Sequence, residues 1–169
     1  DTPSGDIPRG AFGVVAAYDR KTGLVFVHNR AALYSYQYQA AGGIYKELNN
    51  EGGLGLGVNA AIDPENRKML IIGQKKQTLY DLTTESGYKR TTLPLKGDAE
   101  FIQQFPAPGL TYNSNDGHFY AWPGDGKLYQ FDLASLSWQG VQVEGDPGPQ
   151  VRHGTFGRFA YVKALDGFV

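Results

Sequence analysis

Short apolar runs separated by turn residues follow one another in an order that returns every 44 to 50 positions along this chain. An apolar segment ending at Tyr18 enters Asp19-Arg-Lys-Thr-Gly23 and then Leu24-Val-Phe-Val27. The plan returns at Ile62, followed by Asp63-Pro-Glu-Asn-Arg67 and Met69-Leu-Ile-Ile72. It returns again at Tyr112, followed by Asn113-Ser-Asn-Asp-Gly117 and Phe119-Tyr-Ala-Trp122. Two β-favouring runs across a turn rich in Gly, Asn and Asp spell a hairpin. A third run follows each hairpin: Leu33–Tyr36, Thr78–Tyr80 and Leu128–Phe131. The spacing from first to third run is 18, 18 and 19 residues. A fourth run opens near an aromatic, Tyr45, Tyr88 or Trp138, and continues through Lys46–Leu48, Lys89–Leu93 and Gln139–Val143. The links Asn49–Gly57, Lys96–Gly109 and Gly145–His153 are rich in Gly and Pro, and the longest is expected to hold a short helical turn around Phe101–Phe105.

A repeat of this length built from short strands and turns is the signature of propeller blades. The predicted fold class is all-β, with each blade a four-stranded antiparallel sheet. The units run over 10–53, 54–106 and 107–153, with the start of a fourth at 154–169. The two ends also match. Gly10–Val25 and Gly154–Val169 share six of sixteen positions at an offset of 144. The last copy reaches one strand, a turn and the beginning of a second strand. A blade that stopped there would leave unpaired edges, which folded proteins avoid. The expectation is therefore a partial propeller, with further blades or a second chain needed to close it.

Composition narrows the function classes. The chain has 169 residues, 41% of them apolar, and a formal net charge of −1. It carries no basic field to gather phosphates, so no nucleic-acid partner is expected. No apolar run approaches the roughly 18 residues of a membrane span. The chain does not open on Met, so Asp1 reads as a mature, trimmed or excerpted end. With no cysteine, disulfides, thiol catalysis and thiolate metal sites are all excluded within the chain. The 23 Gly and 11 Tyr suit turns and half-buried strands.

The third unit resembles a kelch repeat. The residues that carry the resemblance are Phe131-Asp132-Leu133, Trp138, Gly145-Asp-Pro-Gly-Pro149 and Arg152-His153-Gly154. The second unit keeps Tyr80-Asp81-Leu82 and places Tyr88 where the Trp stands. The first keeps Tyr36 and Tyr45, after Pro8-Arg9-Gly10. The kelch glycine pair after the second strand is replaced by His28-Asn29, Ile72-Gly73 and Trp122-Pro123. The chain is thus similar to a divergent kelch-like propeller of the galactose-oxidase central-domain type. That resemblance implies a ring of blades around a channel and an extracellular or periplasmic setting. It also implies relatives that are carbohydrate-active enzymes, secreted binding modules or protein-binding domains. Fold alone does not choose among these.

Candidate ligand-binding residues cluster after the second strands and in the links, at one expected channel mouth. They are Arg9, His28, Asn29, Arg30, Gln74, Lys75, Trp122, Asp125, Arg152 and His153. Polar side chains around a concavity suit a sugar or a carboxylate, and Arg grips a carboxylate with two parallel bonds. The bland alternative makes these solvated loop residues, with Arg9 and Arg152 pinning neighbouring blades. His118 falls in a turn on the opposite side, so no metal site is expected from His28, His118 and His153. Asn113-Ser-Asn-Asp-Gly117 has no Glu at the twelfth place of a calcium loop and reads as a hairpin turn. Gly53-Leu-Gly-Leu-Gly57 has no following helix and reads as a link rather than a phosphate cradle. No cofactor is implied. The reading is a non-catalytic binding propeller that recognises a carbohydrate or protein through its loop face. The alternative is a kelch-type sugar-processing enzyme, such as an isomerase, using Arg30, Arg152 and His153.

Overall fold

The computed structural model describes residues 2–9, 13–29, 31–40, 42–145 and 148–169. Its strands fall into successive sheets, one per repeat. The first holds β1 (Ser4–Gly5), β2 (Val15–Asp19), β3 (Leu24–His28), β4 (Leu33–Gln37) and β5 (Ile44–Asn49), in the order β1-β5-β4-β3-β2. The second is the meander β6 (Val58–Asp63), β7 (Lys68–Gly73), β8 (Lys76–Asp81) and β9 (Arg90–Leu93). The third repeats it with β10 (Gly109–Asn113), β11 (His118–Trp122), β12 (Leu128–Asp132) and β13 (Ser137–Val141). A final hairpin pairs β14 (Tyr161–Val162) with β15 (Gly167–Phe168). These are three blades and the start of a fourth, each complete blade an antiparallel meander of four strands. The expected helical turn is α1 (Phe101–Gln104).

The hairpin turns have a common cause. Asp19, Asp63 and Asn113 each end the first strand of a blade, and each accepts the backbone N–H two residues on, at 3.0, 2.9 and 2.8 Å. The side chain thereby stands in for a backbone turn acceptor. Asp81 and Asp132 do the same at the end of the third strand, accepting from Thr83 and Ala134. The loop that superficially resembles a calcium site is this turn, with Asn113 also donating to Asp116 at 3.0 Å.

Alternation along the strands sends one set of side chains to each face. Phe26 and Leu33 of the first blade pack on Met69, Ile71 and Tyr80 of the second. Leu70, Ile72 and Leu93 of the second pack on Phe119, Phe131 and Trp138 of the third. Polar links cross the same seams. Asp19, fully buried, pairs with Arg67 of the next blade, whose guanidinium also donates to the Leu82 carbonyl at 3.1 Å. Trp138 donates from Nε1 to Gln77 Oε1 at 2.6 Å, and both residues are buried.

The links between blades have a structural role the sequence pattern does not announce. β1 makes the first sheet five-stranded by running parallel to β5, with Gly5 opposite Tyr45. In the third blade Gly97 makes the same parallel contact with Trp138. Both glycines have positive φ, +82° and +66°, and a Cβ would stand 2.2 and 2.1 Å from the partner carbonyl oxygen. The link before the second blade uses side chains instead. Asn49 donates to the Tyr88 carbonyl, and Arg90 donates to the carbonyls of Glu51 and Gly52. The links before the second and third blades also bury apolar side chains. Leu54 enters the seam between the first two blades, and Phe101 and Ile102 enter the next. In the first blade's link, Ile7 is half exposed.

Candidate functional site

The first strands β2, β6, β10 and β14 line up side by side, so the molecule presents two ends. The hairpin turns after these strands form the turn end. The loops after the second strands, together with the links, form the loop end, where the sequence placed its candidates.

Those candidates separate into different environments. His28 ends β3 and shares the face of Phe26, two residues earlier; it is fully buried. Its ring stands 5.9 Å from that of Tyr80 in the second blade. Burial, with the Arg90 charge second, pushes the imidazole pKa down to about 4, so the group is neutral near pH 7. Asn29, next along, organises its own loop. Its Oδ1 accepts from the N–H groups of Ala31 and Ala32, and its Nδ2 donates to the Arg9 carbonyl at 3.0 Å. Gln74 and Lys75 form the tight β7–β8 turn, both with positive φ, and both are exposed. The Gln74 side chain lies against Gly55 and Gly57 of the preceding link. Asp125 accepts a hydrogen bond from the Tyr129 hydroxyl at 2.7 Å. Trp122 is partly buried with its ring 6.4 Å from that of Phe159. Arg152 and His153 are exposed in the link before β14. Arg30 lies outside the described residues.

Among the described residues, three concavities bear on the candidates and on the turn end. One, of about 780 Å³, lies at the loop end of the first blade and brings Arg9 and Asn29 together with Asp6, Tyr34 and Glu47. Burial, then the neighbouring Glu47 carboxylate, raises the Tyr34 pKa and keeps its hydroxyl protonated. A second, of about 510 Å³, is an apolar groove between the third blade and β15, walled by Trp122, Leu128, Val143, Phe159 and Phe168. A third, of about 370 Å³, opens at the turn end among Tyr18, Arg20, Tyr112, Ser114, Tyr161 and Lys163. Asp6, Tyr34 and Glu47 were not among the ligand-binding candidates, which all came from the loop end.

Among the described residues no group of three or more His, Asp or Glu side chains is placed to hold a metal ion. His118 sits at the turn end beside Asp116, 3.5 Å away, far along its strand from the loop-end candidates. No described helix is long and apolar enough to cross a membrane.

No family model matches the sequence, and no curated protein matches it. Solved structures do match in fold. A structure of a nidogen/laminin complex aligns with a TM-score of 0.61 at 12% identity, over 92% of this chain and 54% of the other. A Bacteroides thetaiotaomicron protein of unknown function aligns with a TM-score of 0.60 at 13% identity, over 97% of this chain and 40% of its own. The structure of YjhT gives 0.57 at 13% identity, over 80% and 51%. The chain therefore spans about half the length of these matches, or less. At such identities the likeness concerns fold alone, and the fold is a β-propeller.

Proposed function

We propose that this chain is a non-catalytic interaction propeller that recognises a carbohydrate or a protein through its loop end. The observation that carries the reading is the concavity on the first blade, where exposed Arg9, Asp6 and Glu47 surround the buried Asn29 and Tyr34. Charged groups of both signs around an ordered amide and phenol suit a polar partner surface rather than a reacting centre. The nidogen/laminin complex is a protein assembly, which supports a protein partner for a fold of this kind. Asp81 and Asp132 close the third-strand turns, and Trp138 is buried between blades. Those roles support a kelch-like type, and by that analogy an extracellular or periplasmic setting.

The test is a glycan array and a protein pull-down with the chain, the Arg9→Glu variant and the Glu47→Lys variant. Binding that survives both charge reversals at full strength would refute the loop-end assignment. The second reading, a kelch-type sugar-processing enzyme, is favoured by the exposed pair Arg152 and His153 on the same end. Turnover of a sugar that disappears in Arg152→Ala or His153→Ala would replace the binding reading with that one.

A further inference from the structure

At the opposite end of the molecule the repeats diverge in a way the fold does not require. The residue that closes the hairpin turn is Asp19, Asp63 or Asn113 in three copies, and all three are buried. In the fourth copy that place holds Lys163, which is exposed and makes no ion pair among the described residues. One place further on, Arg20 stands where the next copies hold Pro64 and Ser114. The two cations that break the repeat line the same concavity of about 370 Å³.

The remaining wall combines tyrosine rings and hydroxyls with an aliphatic floor that includes Ala60, Ile62 and Leu110. Tyr18 is 63% exposed at the rim. The Tyr112 hydroxyl lies near the Asp63 carboxylate, which helps raise its pKa after burial, and the Tyr161 hydroxyl donates to Asp166 at 2.6 Å. The Tyr161 ring is thereby held in place with its polar tip occupied. Ser114 and Thr111 add hydroxyls at the same wall.

The carboxylates nearby are already engaged. Asp63 accepts from the N–H groups of Glu65 and Asn66 and from the Asn66 side chain. Asp166 accepts from Asn115 as well as Tyr161. Among the described residues Glu65 is the acidic partner of Arg20, at 3.8 Å, and its side chain is 64% exposed, so that pairing is loose. The cavity thus offers the Lys163 charge, unpaired among the described residues, the loosely paired Arg20, ring faces and hydroxyls in a volume at the small end of ligand pockets. A pyranose presents C–H faces to rings and hydroxyls to Ser and Thr, and a carboxylate on it meets Arg and Lys.

We propose that the turn-end mouth is a binding site for a carboxylate-bearing sugar, held by Arg20 and Lys163 against the rings of Tyr18, Tyr112 and Tyr161. This site is separate from the loop-end concavity and does not depend on it.

Calorimetric titration with glucuronate, glucose and inorganic phosphate tests the proposal. Glucuronate is expected to bind at least about tenfold more tightly than either of the other two, and Arg20→Gln and Lys163→Gln are each expected to weaken it about tenfold or more, the scale of one lost charge-assisted bond. Both residues are exposed, so unchanged thermal unfolding should confirm that the variants fold. Tyr18→Ala is expected to weaken glucuronate and leave phosphate unchanged. Arg9→Glu, at the other end, is expected to leave glucuronate binding intact. Absence of glucuronate binding, equal binding of glucose or phosphate, or indifference to both cation variants would each overturn the assignment. Glucuronate failing while Arg9→Glu still abolishes partner capture would remove this site and leave the loop-end reading standing.

Discussion

His28 makes the stability of this protein depend on pH in a window that can be worked out in advance. The ring is fully buried in the seam between the first two blades, against Tyr80. Arg90 and Glu51 are the charged groups facing it and Tyr80. Arg90 is anchored beside the seam by the carbonyls of Glu51 and Gly52 and pairs with Glu51 at 3.3 Å. Burial and the Arg90 charge lower the imidazole pKa from 6.5 to about 4. The unfolded chain therefore binds a proton that the folded chain refuses between those two values. Stability from this group is complete above about pH 6.5, falls as pH drops through the window, and is fully lost near pH 4. A shift of roughly 2.5 units at about 1.4 kcal/mol per unit gives a loss on the order of 3 kcal/mol. The steepest part lies near pH 5, at about 1 kcal/mol per pH unit. That loss is a large part of a typical domain's stability.

Urea unfolding at several pH values between 4 and 7.5, on the wild type and on His28→Gln, isolates the effect. The difference between the two curves should decline by about 3 kcal/mol across the window. Asp19, whose pKa is lowered from 3.8, contributes only below the window, because a carboxylate of that kind loses its stabilising charge as pH falls through its depressed folded value. Parallel curves for the two proteins, or an imidazole that titrates near 6.5 in the folded state, would refute the reasoning.

Gly97→Ala should destabilise the fold far more than Gly87→Ala. Both have positive φ, but a Cβ at 97 meets the Trp138 carbonyl while one at 87 meets nothing within 4 Å. Thermal unfolding should show about 1 kcal/mol for the second and several for the first. Arg67→Met strands the buried Asp19 carboxylate and should cost about 3–5 kcal/mol in chemical unfolding, most of it restored by adding Asp19→Asn. Trp138→Phe keeps the aromatic packing and removes the donor to Gln77, so a loss of about 1–3 kcal/mol is expected, whereas Trp138→Ala should lose more by opening a cavity.

The blades were legible in the sequence because their causes are local. Asp19, Asp63 and Asn113 fold their own turns within two or three residues, so each hairpin is written in a five-residue run. The parallel contacts of Gly5 and Gly97 were not legible, because each joins a link to a strand about 40 residues on. A glycine in a Pro- and Gly-rich link looks like any other turn residue until the partner carbonyl is seen. The candidate residues separate by strand parity. His28 and Asn29 are neighbours in one polar run, yet strand parity sends His28 to the face of Leu24 and Phe26, and the loop turns Asn29 toward Arg9. Period-two alternation carried that distinction and could have removed His28 from an open mouth.

The repeat itself holds a further signal. Where all copies need the same turn, the same residue type recurs, and its purpose is architectural. Asp19, Asp63 and Asn113 are such residues, buried and fully engaged. A copy that departs from the consensus with a long cation, as at Lys163, gives up a turn-closing side chain worth about 1 kcal/mol in comparable caps. The local backbone shows the substitution: β14 runs straight into a short 3-10 turn over Lys163–Leu165, closed by Asp166 at positive φ. That arrangement spends a non-glycine residue in the left-handed region to keep the hairpin closed. Restoring the consensus by Lys163→Asp should therefore stabilise the last hairpin, raising its hydrogen-exchange protection, while abolishing glucuronate binding. A variant that lost binding without gaining protection would show that Lys163 serves the turn as well as the ligand.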